Sequence, residues 1–234
     1  MFLFTKLTLI CLVAASAVLA ASNDQIESKR ARHDTGPDLN PDSDFWHGVP
    51  GIFFDTITRN AQHEPAYRTE VRSRWTEGNL YFLFVCPYEQ LNLKPDPTTA
   101  AETNHLWNWD VAEIFVGSDF KNIRKYREFE VSPQGEWIDL AIDLNDPHHG
   151  EGWMWNSGFK SAARIDAKAK VWYAFLRIPY AAVDTRTAAP GNTLRINFFR
   201  SQGPETNLKQ LAWRPTMQAT FHVPEAFGTL KLVK

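Results

Sequence analysis

Residues 67–86, YRTEVRSRWTEGNLYFLFVC, alternate polar and apolar side chains as far as Thr76, pause at Glu77-Gly78-Asn79, and return as a nearly continuous apolar run. Alternation places successive side chains on opposite faces of a strand, and a short glycine-containing link between two such runs marks an antiparallel hairpin. The returning run is too apolar for a solvated face. It belongs at the centre of a two-layered β structure, covered on both sides.

The same signals recur on both sides of this hairpin. Upstream, FWHGVPGIFFDTI begins at residue 45, with Trp46 and Phe53 as expected core aromatics. Downstream, YREFEVSPQGEWIDLAIDL, residues 126–144, reads as two strands joined at Ser132-Pro133-Gln134-Gly135. Phe129 and Val131 share one face and Glu128 and Glu130 the other, while Ile138, Leu140 and Ile142 oppose Trp137, Asp139 and Asp143. The four acids are therefore expected on a solvated outer face, with Arg195 as a cross-strand partner. FKSAARID and KVWYAFLRIPYAAV form a further hairpin, and NTLRINFFR, LKQLAWRPT and FHVPEAFGTLKLVK complete the chain. About ten strands, with no repeat and no amphipathic helix of ordinary length, imply an all-β fold. The expected architecture is a single-domain antiparallel β-sandwich over residues 44–234, jelly-roll or immunoglobulin-like.

Composition agrees. Nine Trp and sixteen Phe favour sheets, and 44% hydrophobic residues in a chain of 234 suffice for one large core. Lys and Arg number 25 against 27 Asp and Glu, which offers no basic surface for nucleic acid. Residues 1–20, MFLFTKLTLICLVAASAVLA, read as a signal peptide, so the protein is expected to be secreted or periplasmic. Cleavage after Ala20 leaves Cys86 as the last cysteine and permits no internal disulfide. Residues 21–43 are polar, with KRAR at 29–32, and read as a segment ahead of the domain. No later stretch is apolar enough for a transmembrane segment, and a monomer is expected.

The chemistry concentrates in LWNWDVAEIFV, residues 106–116, where two tryptophans lead into an apolar strand interrupted by Glu113. Aromatics beside a fixed acid suit one wall of a binding site; the alternative packs them inward as core. Loops at 87–105 and 144–157 flank the stretch, and long loops are often functional. Trp137, Trp153, Trp155 and Trp172 read as packing or loop-anchoring residues.

Four segments together, LWNWDVAEIFV, YREFEVSPQGEWID, GNTLRINFFR and AWRPT followed by HVPEAFG, resemble the family 9 carbohydrate-binding-module-like proteins, relatives of the DOMON sugar and haem domains. The likeness runs from about Trp46 to Leu232. It implies a β-sandwich that holds an oligosaccharide or polysaccharide without cleaving it, a sugar ring lying between two tryptophans. By that resemblance Trp107, six residues before Glu113, takes the first clamp position with Trp109 as its rival, and Trp213 the second. Glu113, Asn197 and Arg200 would bond hydroxyls. Two positions depart from the pattern: Phe175 stands where an acid often follows the tryptophan of the late hairpin, and Leu211 and Ala212 stand where an asparagine is expected before the second clamp.

Other functions make distinct demands. A glycoside hydrolase needs two carboxylates across a cleft, which Asp110 with Glu113 or Glu128 with Asp139 can offer. A haem electron-transfer domain needs axial Met or His, and only Met154 and Met217 remain in the mature core, with no CxxCH. His148 and His149 are adjacent in a loop, a poor metal pair, and no catalytic or metal residue is assigned. Asp143 to Asp146 offer oxygens for a structural calcium, without EF-hand spacing.

Overall fold

The structure, a computed structural model, describes residues 24–146 and 153–234. The expected signal peptide and the pair His148 and His149 lie outside them. Thirteen strands are described: β1 (Gln25–Arg30), β2 (Ile52–Phe54), β3 (Thr56–Ile57), β4 (Thr69–Trp75), β5 (Asn79–Pro87), β6 (Val111–Gly117), β7 (Lys125–Val131), β8 (Trp137–Asp143), β9 (Lys160–Asp166), β10 (Val171–Pro179), β11 (Thr193–Gln202), β12 (Lys209–Ala212) and β13 (Gly228–Val233). Among the described residues helix is confined to one turn, Tyr180–Val183, and short 3₁₀ segments. The main strand order is β8-β7-β6-β11-β13-β1-β4-β5-β10-β9, all within a single domain.

This sheet folds onto itself. The β6, β7, β11 and β13 half presents Ile114, Val116, Phe129, Val131, Ile196, Phe198 and Leu230 to Val71, Phe82, Phe84, Trp172, Ala174 and Leu176 of the β4, β5 and β10 half. Phe198 of β11 meets Phe82 and Phe84 of β5 edge-on at 5.8 and 5.9 Å. The apolar run of residues 80–86 thus takes the central place that its composition predicts, and a core of this size needs no disulfide.

The seam between the halves departs from a purely antiparallel plan. β1 pairs parallel with β13 on one side and with β4 on the other. It comes from the polar segment 21–43, where QIESKR hides its burial pattern: Ile26 and Ser28 point inward, and Ser73 donates to the Ser28 hydroxyl at 2.8 Å. One apolar side chain in six gives no alternation to read, so backbone pairing makes this strand. Phe53 also departs from expectation. It is 46% exposed, with Arg68 lying 4.9 Å over its ring, because its neighbours Ile52 and Phe54 take the inward parity.

The acids correct the sequence reading most. The turn at Ser132–Gly135, with Gly135 at φ +89, pairs Glu130 with Ile138 and Glu128 with Leu140. Residues paired across antiparallel strands share a face, so the glutamates stand among the isoleucines and leucine rather than away from them. Glu128, Glu130 and Asp139 are all buried. Arg195 pairs with none of them and instead donates to the carbonyls of Asp119 and Ile123.

Candidate functional site

The outer face of β6, β7, β8 and β11 carries a second apolar cluster and, within it, a hollow of about 260 Å³. Its floor is Glu113 and Phe115 of β6, Glu128 of β7, Leu140 of β8 and Ser201 of β11. Trp107, Trp153, Phe221 and His222 stand around it. Trp107 rides on a 3₁₀ turn at Leu106–Asn108 that is pinned from both ends. Leu106 is buried, and the Asp110 amide donates to the Asn92 carbonyl while the Asp110 carboxylate accepts from the Gly203 and Asn92 amides. The Thr220-Phe221-His222 wall is held by Thr216, whose hydroxyl donates to the Thr220 carbonyl at 2.8 Å. Phe221 stacks on Phe199 at 4.3 Å, and His222 Nδ1 hydrogen-bonds the Tyr126 hydroxyl at 2.6 Å. The aromatic walls are therefore fixed before any ligand arrives, which lowers the entropy cost of binding.

The floor is acidic for a reason of register. Glu113 on β6 lies directly opposite Glu130 on β7, and Glu128 lies two residues along the same face. One oxygen from each of the three falls within 4.8 Å of the others. Burial, and then the neighbouring carboxylate charges, push Glu113 and Glu130 well above the ordinary carboxylate range; burial pushes Glu128 up to about 7. Like charges placed opposite one another in a sheet work against folding, so this cluster is kept at a cost.

Residues 43–234 match the carbohydrate family 9 binding domain-like family. The chain belongs to that family. An "Extracellular protein" of Arthroderma benhamiae is 27% identical over 200 residues, covering 80% of this chain and 87% of its own. Among solved structures, a Bacteroides uniformis protein superimposes with a TM-score of 0.69 at 16% identity, over 89% of this chain and 99% of its own. A family 9 carbohydrate-binding module of Caldicellulosiruptor kristjanssonii, in complex with cellotriose, gives 0.62 at 14% identity, over 89% and 93%.

In this family 9 domain the expected site residues separate. Trp107 and Glu113 share the hollow. Trp109, half-buried at the end of the 3₁₀ turn, is not among its lining residues, and neither are Asn197, Arg200 and Trp213. Arg200 has the opposite parity to Phe199 and Ser201, so it points between the sheets. There it donates to the Pro87 carbonyl at 2.6 Å and the Thr69 hydroxyl at 3.1 Å, with the rings of Tyr67 and Trp172 alongside. Asn197 shares the parity of the floor but spends both ends of its amide on the Arg214 backbone, at 2.8 and 3.0 Å. Trp213 plugs the sandwich core against Phe198, and a Cβ on Gly228 would meet its ring at 2.5 Å.

Trp153, Glu128, Phe221 and His222 complete the hollow without being expected there. Glu128 was accessible through the hairpin register. His222 and Phe221 carry no local pattern, since tertiary contacts with Tyr126, Phe115 and Phe199 bring them over the floor. Asp143 of the acid-rich loop is already engaged by Lys125 at 2.9 Å and by the Asn145 amide.

Proposed function

We propose that this protein is a secreted, non-catalytic carbohydrate-binding protein that holds a saccharide in the hollow of the β6, β7, β8 and β11 face. The observation that carries the reading is the placing of Trp107 and Trp153 around a floor of Glu113, Glu128 and Ser201. A pyranose has apolar C–H faces and a rim of hydroxyls, which call for flat aromatics and fixed acceptors. Trp107 keeps the first clamp position; Trp153 takes the second in place of Trp213, which serves the core. Glu113 and Ser201 offer side-chain oxygens to the hydroxyls. Arg200, Asn197 and Trp109 act through the walls rather than on the ligand.

Family membership supports the substrate class, and the Caldicellulosiruptor module, seen with cellotriose and with glucose, suggests β-glucans as the first ligands to try. An extracellular relative and the signal-peptide-like N-terminus support secretion. No helix among the described residues is long and apolar enough to cross a membrane. The non-catalytic reading rests on where the acids stand. Asp110 is occupied by Gly203, Asn92 and Gln202, and Asp139 lies on the other face of the sheet from Glu128. Glu113 and Glu128 rise from adjacent strands of one floor, whereas a glycosidase needs its carboxylates on either side of the bond.

Affinity is expected to be modest, since each hydroxyl gives up water before it bonds protein. Calorimetric titration with glucose and cellotriose, alongside a reducing-sugar assay, tests the reading. Binding without release of new reducing ends supports it, and steady release contradicts the non-catalytic role.

A further inference from the structure

The Glu113, Glu128 and Glu130 cluster asks for more than a sugar. Glu113 and Glu128 face the hollow, but Glu130 is fully buried beside them and no N–H or hydroxyl donor reaches either of its carboxylate oxygens. One oxygen of Glu128 is likewise unpartnered, Glu128 and Glu130 meet only each other's carboxyl groups, and Glu113 has only the Ser201 hydroxyl at 3.5 Å. Among the described residues no lysine, arginine or histidine forms an ion pair with any of the three. Buried carboxylates are ordinarily paired, hydrogen-bonded or metal-bound, and an acceptor-only group with no donor is the costliest case.

We propose that the three glutamates hold a divalent cation of the calcium type at the floor of the hollow. Their nearest oxygens lie within 4.8 Å of one another. That is the spread of ligands around one ion at metal–oxygen distances of about 2.3–2.6 Å. Each carboxylate ligates through one oxygen or both, so the cluster supplies about three to six of the six to eight oxygens calcium takes, and the open hollow admits water for the rest. An all-carboxylate set of hard oxygens disfavours zinc and copper. The ion replaces the missing donors of Glu130 and cancels most of the repulsion that the strand register creates. It also places a positive charge beneath the ligand, where hydroxyl oxygens can reach it. This site is separate from the acid-rich loop at Asp143.

Terbium, a calcium-sized ion excited through nearby indoles, reads the site directly because Trp107 and Trp153 line the hollow. The mature protein is stripped with chelator and titrated with terbium alone, then with calcium. The expected result is saturable sensitised emission displaced by calcium, together with a calcium-dependent rise in melting temperature. Glu130→Gln and Glu128→Gln should each weaken calcium by more than about tenfold, while Asp143→Asn leaves it unchanged. Absence of both signals in the unmodified protein overturns the proposal and points to protons shared among the three acids. Calcium binding unaltered in the glutamine variants overturns it as well. Should Glu130→Gln fail to fold, Glu128→Gln and the unmodified protein still decide. Cellotriose binding to the calcium-free protein keeps the saccharide reading separate, since either result can stand without the other.

Discussion

The two outer faces of the sandwich are built from the same materials and finished in opposite ways. On the β5 and β10 side, Tyr81, Leu83 and Phe175 are covered by the segment before β2, with Trp46 fully buried and its indole donating to the Asp38 carbonyl at 2.9 Å. Asp34 there accepts bonds from Thr76, Asn79 and Tyr81, and the Thr76 bond, ahead of the others, holds its carboxyl below the usual range. On the β6, β7 and β8 side, three carboxylates lie buried with almost no donors and are pushed upward. The sealed face satisfies its carboxylates internally and leaves only the Arg74 Nε without a partner among the described residues there. The open face leaves acceptors unsatisfied, and unsatisfied acceptors are what a ligand can use.

Breaking the sealed face should have the largest effect on stability and none on binding. Trp46→Ala is expected to cost about 3–5 kcal/mol in urea unfolding, the range for deleting a buried Trp, with saccharide affinity unchanged in the folded protein. Trp213→Ala belongs in the same class, because its ring fills the core against Gly228. A selective loss of saccharide with normal stability would return Trp213 to the clamp. On the open face the pattern inverts. Trp107→Ala should weaken cellotriose by about 10–100-fold, consistent with losing an aromatic wall worth about 1.5–3 kcal/mol, while the urea midpoint barely moves.

Two smaller effects sharpen the contrast. Asp34→Ala should cost about 1 kcal/mol, since its bonds lie at a partly exposed site. In chelator, pH should act on the two faces with opposite sign. The raised glutamates bind protons in the folded state that the unfolded chain releases, so stability falls as pH rises from the ordinary glutamate value of 4.5 through about 7. Asp34 has a lowered value, so its contribution is present above 3.8 and lost on acidification. Glu130→Gln should flatten the alkaline limb, which melting curves across the pH range will show.

How much of this was legible follows from what each element depends on. The β5 strand was readable because its composition alone demands a central place. Trp107 and Glu113 were readable because they lie close in the chain on one turn and one strand. β1 was hidden because its pairing, not its side chains, makes it a strand. The glutamates were misread as solvated because alternation gives parity within a strand, whereas the facing partner is set by the turn; counting through Ser132–Gly135 would have placed Glu130 against Ile138. Phe221 and His222 come from a distant loop, and no local pattern announces a tertiary contact. Arg200 and Trp213 have the residue types of a sugar site and the positions of a core, which only packing can distinguish.

The most direct test is a crystal structure of the protein soaked with cellotriose. The account predicts a glucose ring between Trp107 and Trp153 with hydroxyls on Glu113. A sugar bound on another surface, with this hollow empty at saturating ligand, would contradict it.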